Sequence, residues 1–289
     1  MKGKICVVTG ANSGIGFYTA LALLNKGAYV VMVCRNGEKA ETARQELIQR
    51  SGSEQIAVYL ADLGNMADTK KLGQALTARF PVLDVLVNNA GLLSKGYREI
   101  TREGLEKTFA VNHLGYFILT LYLLPALKAA PQGRIVNVSS EAHRLVRSLN
   151  LQNLQMAEGY NSMKAYGLSK LCNILFTREL ARQLVGTSVT VNALHPGSVA
   201  SNFGSEGPEW FKSLFKLGRR FLLSPEQGAA TSVFLATNPE LSHISGEYFS
   251  NSQIRVPSRE ARNDLKAQQL WQYSLQLSQL NGNGVSGQD

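Results

Sequence analysis

The chain has 289 residues, 44% of them apolar, enough for one large α/β domain or two small ones, and its net charge is +9. No stretch approaches the roughly 20 uninterrupted apolar residues of a membrane span. Three cysteines and four histidines without ligand-like spacing exclude a disulfide scaffold and point to no metal site.

In chain order, short apolar runs alternate with longer helical patterns. Strands are predicted at Ile5–Val8, Tyr29–Cys34, Ile56–Leu60, Val82–Val87, Arg134–Val138, Val189–Leu194 and Glu247–Phe249. Helices are predicted near residues 14–26, 37–50, 65–79, 101–129, 163–184 and 225–237. Nearly continuous Val/Ile/Leu strands between helices imply a seven-stranded parallel sheet covered on both faces. No repeat or linker interrupts the pattern, so residues 1–280 are expected to form one doubly wound α/β domain, with residues 281–289 as a flexible tail. The first strand begins at Ile5, so no leader is expected. Cys6, Cys34 and Cys172 lie in or beside apolar segments and read as buried reduced thiols, which fits the cytoplasm.

The first strand empties into Thr9-Gly10-Ala11-Asn12-Ser13-Gly14-Ile15-Gly16 and then a helix. A glycine turn between strand and helix makes a site for a dinucleotide pyrophosphate. Gly10 permits the turn, Gly14 lets the backbone approach phosphate oxygens, and Gly16 lets the helix pack on the strand. At the second strand's end stands Arg35, not an acidic residue. Its forked guanidinium suits a 2′-phosphate, so NADP(H) is expected over NAD(H). After the third strand, Asp62 beside Leu63 could accept from an adenine amino group or cap the next helix. Asn89-Ala90-Gly91 ends the fourth strand, where small residues allow close approach to a ligand or make a plain turn. Positive charge favours anionic partners. The 30 Lys and Arg residues form no long basic run, so a phosphorylated cofactor explains the sign better than nucleic acid does.

Tyr166-Gly-Leu-Ser-Lys170 opens an amphipathic helix, and residues four apart share one helix face. Reducing a carbonyl needs a proton delivered to oxygen as hydride reaches carbon, and a neighbouring ammonium lowers a phenol's pKa toward that task. Ser140, after the fifth strand, can hold the substrate oxygen. Tyr160-Asn-Ser-Met-Lys164 has the same spacing, but it lies in a loop-like segment, and Tyr166 is preferred.

Together the glycine loop, Asn88-Asn89-Ala90-Gly91, Ser140, Tyr166-x-x-x-Lys170 and Pro196-Gly197 resemble the short-chain dehydrogenase/reductase family over nearly the whole chain. The resemblance implies a single-domain Rossmann fold, with Tyr166 as acid/base. It implies Lys170 on the nicotinamide ribose, Ser140 polarising the carbonyl, and Asn112 holding a proton-relay water. Pro196, Gly197 and Val199 would border the nicotinamide. Val33-Cys34-Arg35-Asn36 and Ser169-Lys170-Leu171-Cys172-Asn173 resemble the retinol-dehydrogenase-like branch. Membrane-bound members of that branch carry an N-terminal apolar anchor. Here the glycine loop begins at residue 10, so a soluble or loosely peripheral protein is expected. The resemblance also implies a homo-oligomer, dimer or tetramer, through helices like 101–129 and 163–184. Residues 203–224 mix Trp210, Phe211, Leu214 and Phe215 with Lys212, Lys216, Arg219 and Arg220. They are expected to form a lid over a lipophilic alcohol or carbonyl substrate, with weak peripheral membrane contact as a lesser role. The expected activity is NADP(H)-linked carbonyl reduction or its reverse. The alternative is a non-catalytic NADP(H)-binding sensor or partner-binding protein on the same scaffold.

Overall fold

A computed structural model of the chain describes residues 1–199 and 222–280. β1 (Ile5–Thr9), β2 (Tyr29–Cys34) and β3 (Ile56–Leu60) each feed a helix: α1 (Gly14–Asn25), α2 (Gly37–Ser51) and α3 (Met66–Arg79). β4 (Val85–Asn88) leads to α4 (Lys107–Phe109), which runs through a π turn (Ala110–Leu114) into α5 (Gly115–Ala129). Then come β5 (Arg134–Val138), α6 (Ser162–Gln183), β6 (Thr190–His195) and α7 (Pro225–Thr237). β7 (Tyr248–Ser250), β8 (Gln253–Ile254) and α8 (Asp264–Ser278) complete the strands and α-helices of the described residues.

The strands form one sheet in the order β3-β2-β1-β4-β5-β6-β7-β8. Side chains alternate between two cores because strand residues point to opposite faces. Val7 and Val31 join Leu72, Leu119, Leu175 and Trp271 beneath α3, α5, α6 and α8. Cys6, Val8 and Val30 join Leu21, Leu47 and Leu235 beneath α1, α2 and α7. The doubly wound α/β architecture is as expected. The order reverses between β1 and β4, and such a sheet binds ligands beyond its carboxyl ends there.

Three details differ from the expectation. The sheet has eight strands, not seven. Asn251 and Ser252, with φ of 52° and 58°, reverse the chain tightly after β7, and β8 returns antiparallel to it. The predicted helix at 101–129 starts only at Lys107. Gly104 turns at φ +79°, Ile100 bridges Glu106, and the Glu106 carboxylate accepts from the Thr108 and Phe109 N–H groups to cap the helix. Finally, α8 was not anticipated; it lies along α6, with Ala267, Leu270 and Trp271 buried. The helical stretch Lys107–Ala129 is long and apolar enough to cross a membrane, and most of it is buried inside the domain. Most of the lid segment (all but residues 222–224) and the tail at 281–289 lie outside the described residues.

Candidate active site

Gly10 leaves β1 at φ +66°, and the chain enters α1 at Gly14 with φ +55°, a region open to glycine without cost. A Cβ on Gly10 would lie 2.9 Å from Ala90 Cα. One on Gly16 would lie 2.3 Å from Gly10 O and 2.4 Å from Asn89 Nδ2, so Gly16 lets α1 close on the turn and on Asn89. Asn89 Nδ2 donates to Thr9 O at 2.8 Å, and Thr9 Oγ1 accepts from Asn89 N–H and Ala90 N–H, both at 2.9 Å. Beneath the loop the Cys34 sulfur meets the Ala11 and Asn12 amides, and burial pushes its thiol up to about 11.

The residues present fit a dinucleotide. Asparagine side chains cap α2, α3, α6 and α8, whereas Ser13 makes no capping hydrogen bond at α1. The first amides of α1 are thus left for an anion, where the helix dipole favours negative charge. Arg35 follows β2 exposed and makes no salt bridge among the described residues. Asp62 Oδ1 accepts from Gly64 N–H at 2.9 Å, while Asn65 caps α3 through Asp68 N–H. The capping alternative for Asp62 is therefore overturned: its carboxylate closes a turn two residues long instead. Leu63 is buried where Gly115 lets α5 approach; a Cβ there would lie 2.7 Å from Leu63 O. After β6, Gly197 turns at φ +88°, and Val199 packs on Gly228, beside which Ile15 also lies. Pro196 sits between His195 and this turn.

At the carboxyl end of β5, Ser140 hydrogen-bonds the half-buried Tyr166 phenol. Lys170 Nζ lies 5.6 Å from the Tyr166 ring centroid and donates to Val138 O at 2.9 Å. Asn173 Nδ2 donates to the same carbonyl at 3.3 Å, and Ser139 Oγ donates to Lys170 O at 2.7 Å. Asn112 stands in the π turn, a local irregularity that often marks function. Its Nδ2 donates to Leu92 O and Ser169 Oγ, both at 3.0 Å, and its Oδ1 accepts from Leu92 N–H at 2.8 Å. Gly91 closes the group: a Cβ there would lie 3.3 Å from Asn112 Oδ1 and 3.5 Å from Lys170 Nζ. The four residues expected to carry the chemistry are brought together.

Their electrostatics differ from the expectation. Loss of water around the Tyr166 hydroxyl pushes its pKa up to about 12, against a lowering hydrogen bond from Ser140. The same desolvation pushes Lys170 down to about 7. With desolvation dominating both groups, the destabilised ammonium does not bring the tyrosine below its ordinary value.

Tyr160 precedes α6 and donates to Glu106 Oε1 at 3.4 Å. Several supporting residues were not anticipated. Tyr116 donates to Ala90 O at 2.7 Å, with Lys170 Nζ 5.7 Å from its ring centroid. Its position one helical turn after Asn112 was the available signal. Thr9 and Ser169 stand inside the motifs that carry the resemblance but have no role assigned by them, and His143 carries no local sequence mark.

A parallel sheet opening at its order reversal onto an uncapped helix end is the architecture of nicotinamide-dinucleotide oxidoreductases. The sequence pattern of the short chain dehydrogenase family matches residues 4–211. The chain is 42% identical over 279 residues to retinol dehydrogenase 11 of Homo sapiens, spanning 96% of this chain and 86% of that protein. A crystal structure of an uncharacterized protein from Mycobacterium Paratuberculosis superposes with TM-score 0.78 at 30% identity, over 97% of this chain and 95% of that one. Another, assigned as an NAD(P) dependent gluconate 5-dehydrogenase from Beutenbergia cavernae with bound NADP at low occupancy, has TM-score 0.69 at 26% identity, over 87% and 96%. The chain belongs to the short-chain dehydrogenase family, oxidoreductases that bind a nicotinamide cofactor, and within it is related to the retinol dehydrogenases.

Proposed function

We propose that this chain is an NADP(H)-dependent carbonyl reductase acting reversibly on an apolar aldehyde or ketone and the corresponding alcohol. The observation that carries the reading is the contact of Ser140 with Tyr166 one helical turn from a buried Lys170. The bound dinucleotide would supply or accept the hydride. Ser140 would hold the substrate oxygen, and Tyr166 would deliver the proton to it. A phenol pushed up to about 12 stays protonated at neutral pH, which favours reduction, since the alkoxide being formed is a much stronger base. Lys170 would meet the nicotinamide ribose, and Asn112 would fix Ser169 next to the reacting tyrosine.

For the cofactor, Gly10, Asn12, Ser13, Gly14, Ile15 and Gly16 would face the pyrophosphate. Arg35 would take the 2′-phosphate, and Asp62 with Leu63 the adenine. Asn89, Ala90 and Gly91 would border the ribose side, and Pro196, Gly197 and Val199 the nicotinamide. The relation to retinol dehydrogenases and the NADP in the Beutenbergia protein support an apolar substrate and NADP(H). Three buried, unpaired thiols suit a reducing compartment such as the cytoplasm. An oligomer built on α5 and α6 would have to incorporate α8, which already lies along α6.

The test is NADPH oxidation with all-trans-retinal, a long-chain aldehyde and a small polar aldehyde. Turnover of the apolar members is expected; NADPH binding without turnover of any of the three would favour the non-catalytic alternative. Arg35→Asp should reverse the preference toward NADH. An unchanged ratio of kcat/KM for the two cofactors would refute Arg35 as the discriminating group.

A further inference from the structure

Ser140 is carried into the site by a short turn, Glu141–Leu145, of which His143 is the buried member. Both ring nitrogens of His143 are engaged. Nδ1 lies 2.7 Å from Ser140 O, and Nε2 lies 3.0 Å from Ser258 N. A backbone amide can only donate, so Nε2 must present its lone pair. The single proton of the neutral ring is then on Nδ1, where it donates to the Ser140 carbonyl. One other contact holds the same pair of segments together, Arg144 Nη2 donating to Val256 O at 2.9 Å, and the His143 ring also packs edge-on against Tyr248 of β7 at 5.2 Å between centroids. The chain that returns from β8 thus reaches the Ser140 turn through an imidazole.

We infer that His143 is a positioning residue for the reaction: by clamping the Ser140 carbonyl to the segment after β8, it fixes the direction in which Ser140 Oγ meets Tyr166. The inference rests on the reading that Ser140 and Tyr166 carry the chemistry. Ser140 depends on such a clamp because its side chain is shared. Its Oγ accepts from Ala142 N–H at 3.2 Å, which leaves its own proton for the phenol or the substrate oxygen. A small rotation of the turn would send that proton elsewhere.

The same geometry predicts sensitivity to acid. A second proton on Nε2 would point at the Ser258 N–H, donor against donor, and break the clamp. The charged and titratable groups facing the ring are Glu141 and Arg144 of its own turn, His195 at the end of β6 and Tyr248 of β7. Burial outweighs the attraction of Glu141 and holds His143 below its ordinary value, so the clamp is intact at neutral pH and fails as pH falls.

Two substitutions separate the halves of the clamp. In His143→Asn the amide nitrogen takes the place of Nδ1 and keeps the bond to Ser140, whereas His143→Gln reaches the Nε2 position and keeps only the acceptor for Ser258. Measured with NADPH and the best carbonyl of the panel, kcat is expected to fall about a hundredfold in His143→Gln. In His143→Asn, which lacks the Ser258 link that acid also breaks, kcat should sit near the low-pH value of the wild type at every pH, with the dissociation constant of NADPH unchanged in both. The acid limb of the wild-type kcat profile should be absent in His143→Asn. Losses in both variants that merely follow Tm, a matching loss of NADPH affinity, or persistence of the acid limb in His143→Asn would each overturn the inference. In the wild-type protein, nitrogen-15 shifts of the ring should show the proton on Nδ1; a proton on Nε2 would overturn it without any variant. If no carbonyl is turned over at all, the activity reading fails, and the ring shifts still decide the clamp.

Discussion

Tyr160 and Tyr166 share one spacing to a lysine, and what separates them is the surroundings the fold provides. Tyr166 meets Ser140 and lies beside Lys170, whereas Tyr160 donates to the carboxylate that caps α4. Replacing Tyr166 with Phe should lower kcat by at least about a hundredfold while NADPH still binds, because only the transferable proton is removed. Tyr160→Phe should retain turnover and lose some thermal stability. If steady-state kinetics gave the reverse, the wrong tyrosine would have been assigned. The members of this site were legible from motif order: Asn112, Ser140, Tyr166 and Lys170 do converge. Their ionisation was not legible, because it depends on how much water the surrounding protein removes from a hydroxyl and an ammonium, which no spacing encodes.

The strand–turn–helix formed by β1 and α1 is held by contacts too close for any side chain at two positions. In Gly16→Ala the new methyl would meet Gly10 O at 2.3 Å, so turn and helix must separate. Overpacking of this kind costs about 1–3 kcal/mol. NADPH binding, followed by fluorescence titration, should weaken about tenfold or more. The long central strands were readable because unbroken Val/Ile/Leu runs leave few other conformations. Three features were not. β8 is two residues long, too short for any periodicity. Residues 101–106 look helical but contain Gly104 in a left-handed turn. α8 buries Ala267, Leu270 and Trp271 together with Ser274 and Ser278, so its apolar stripe is diluted by hydroxyls. The Asn263 cap and the spacing of those five residues were the signals available.

Across the whole molecule, α8 is joined to the π turn by His113, whose Nε2 lies 2.9 Å from Ser274 Oγ. The ring sits among Phe109, Phe117 and Phe176. Burial pushes its pKa down from 6.5 to about 3, despite the neighbouring Asn173 amide. In the folded protein the ring is therefore neutral, whereas the unfolded chain takes up a proton below pH 6.5. The stability this neutral form provides is present above that pH and is lost as pH falls toward about 3, by about 1.4 kcal/mol per pH unit. Between pH 7 and pH 5, urea unfolding should show a loss of about 2 kcal/mol from this group alone. His113→Gln should be less stable than the wild type at pH 7 and lose less on acidification. Equal losses in the two proteins would show that the ring is not the linked group.

The brevity of β8 has a further consequence. Among the described residues, one flank of the sheet ends in two residues of backbone, while the opposite flank ends in the five-residue β3 with Leu60 58% exposed. A foreign strand needs a run of unpaired peptide groups to latch onto. Aberrant stacking of copies by strand addition would therefore start from the β3 side, and an added charge near Leu60 is where resistance to clumping would be gained.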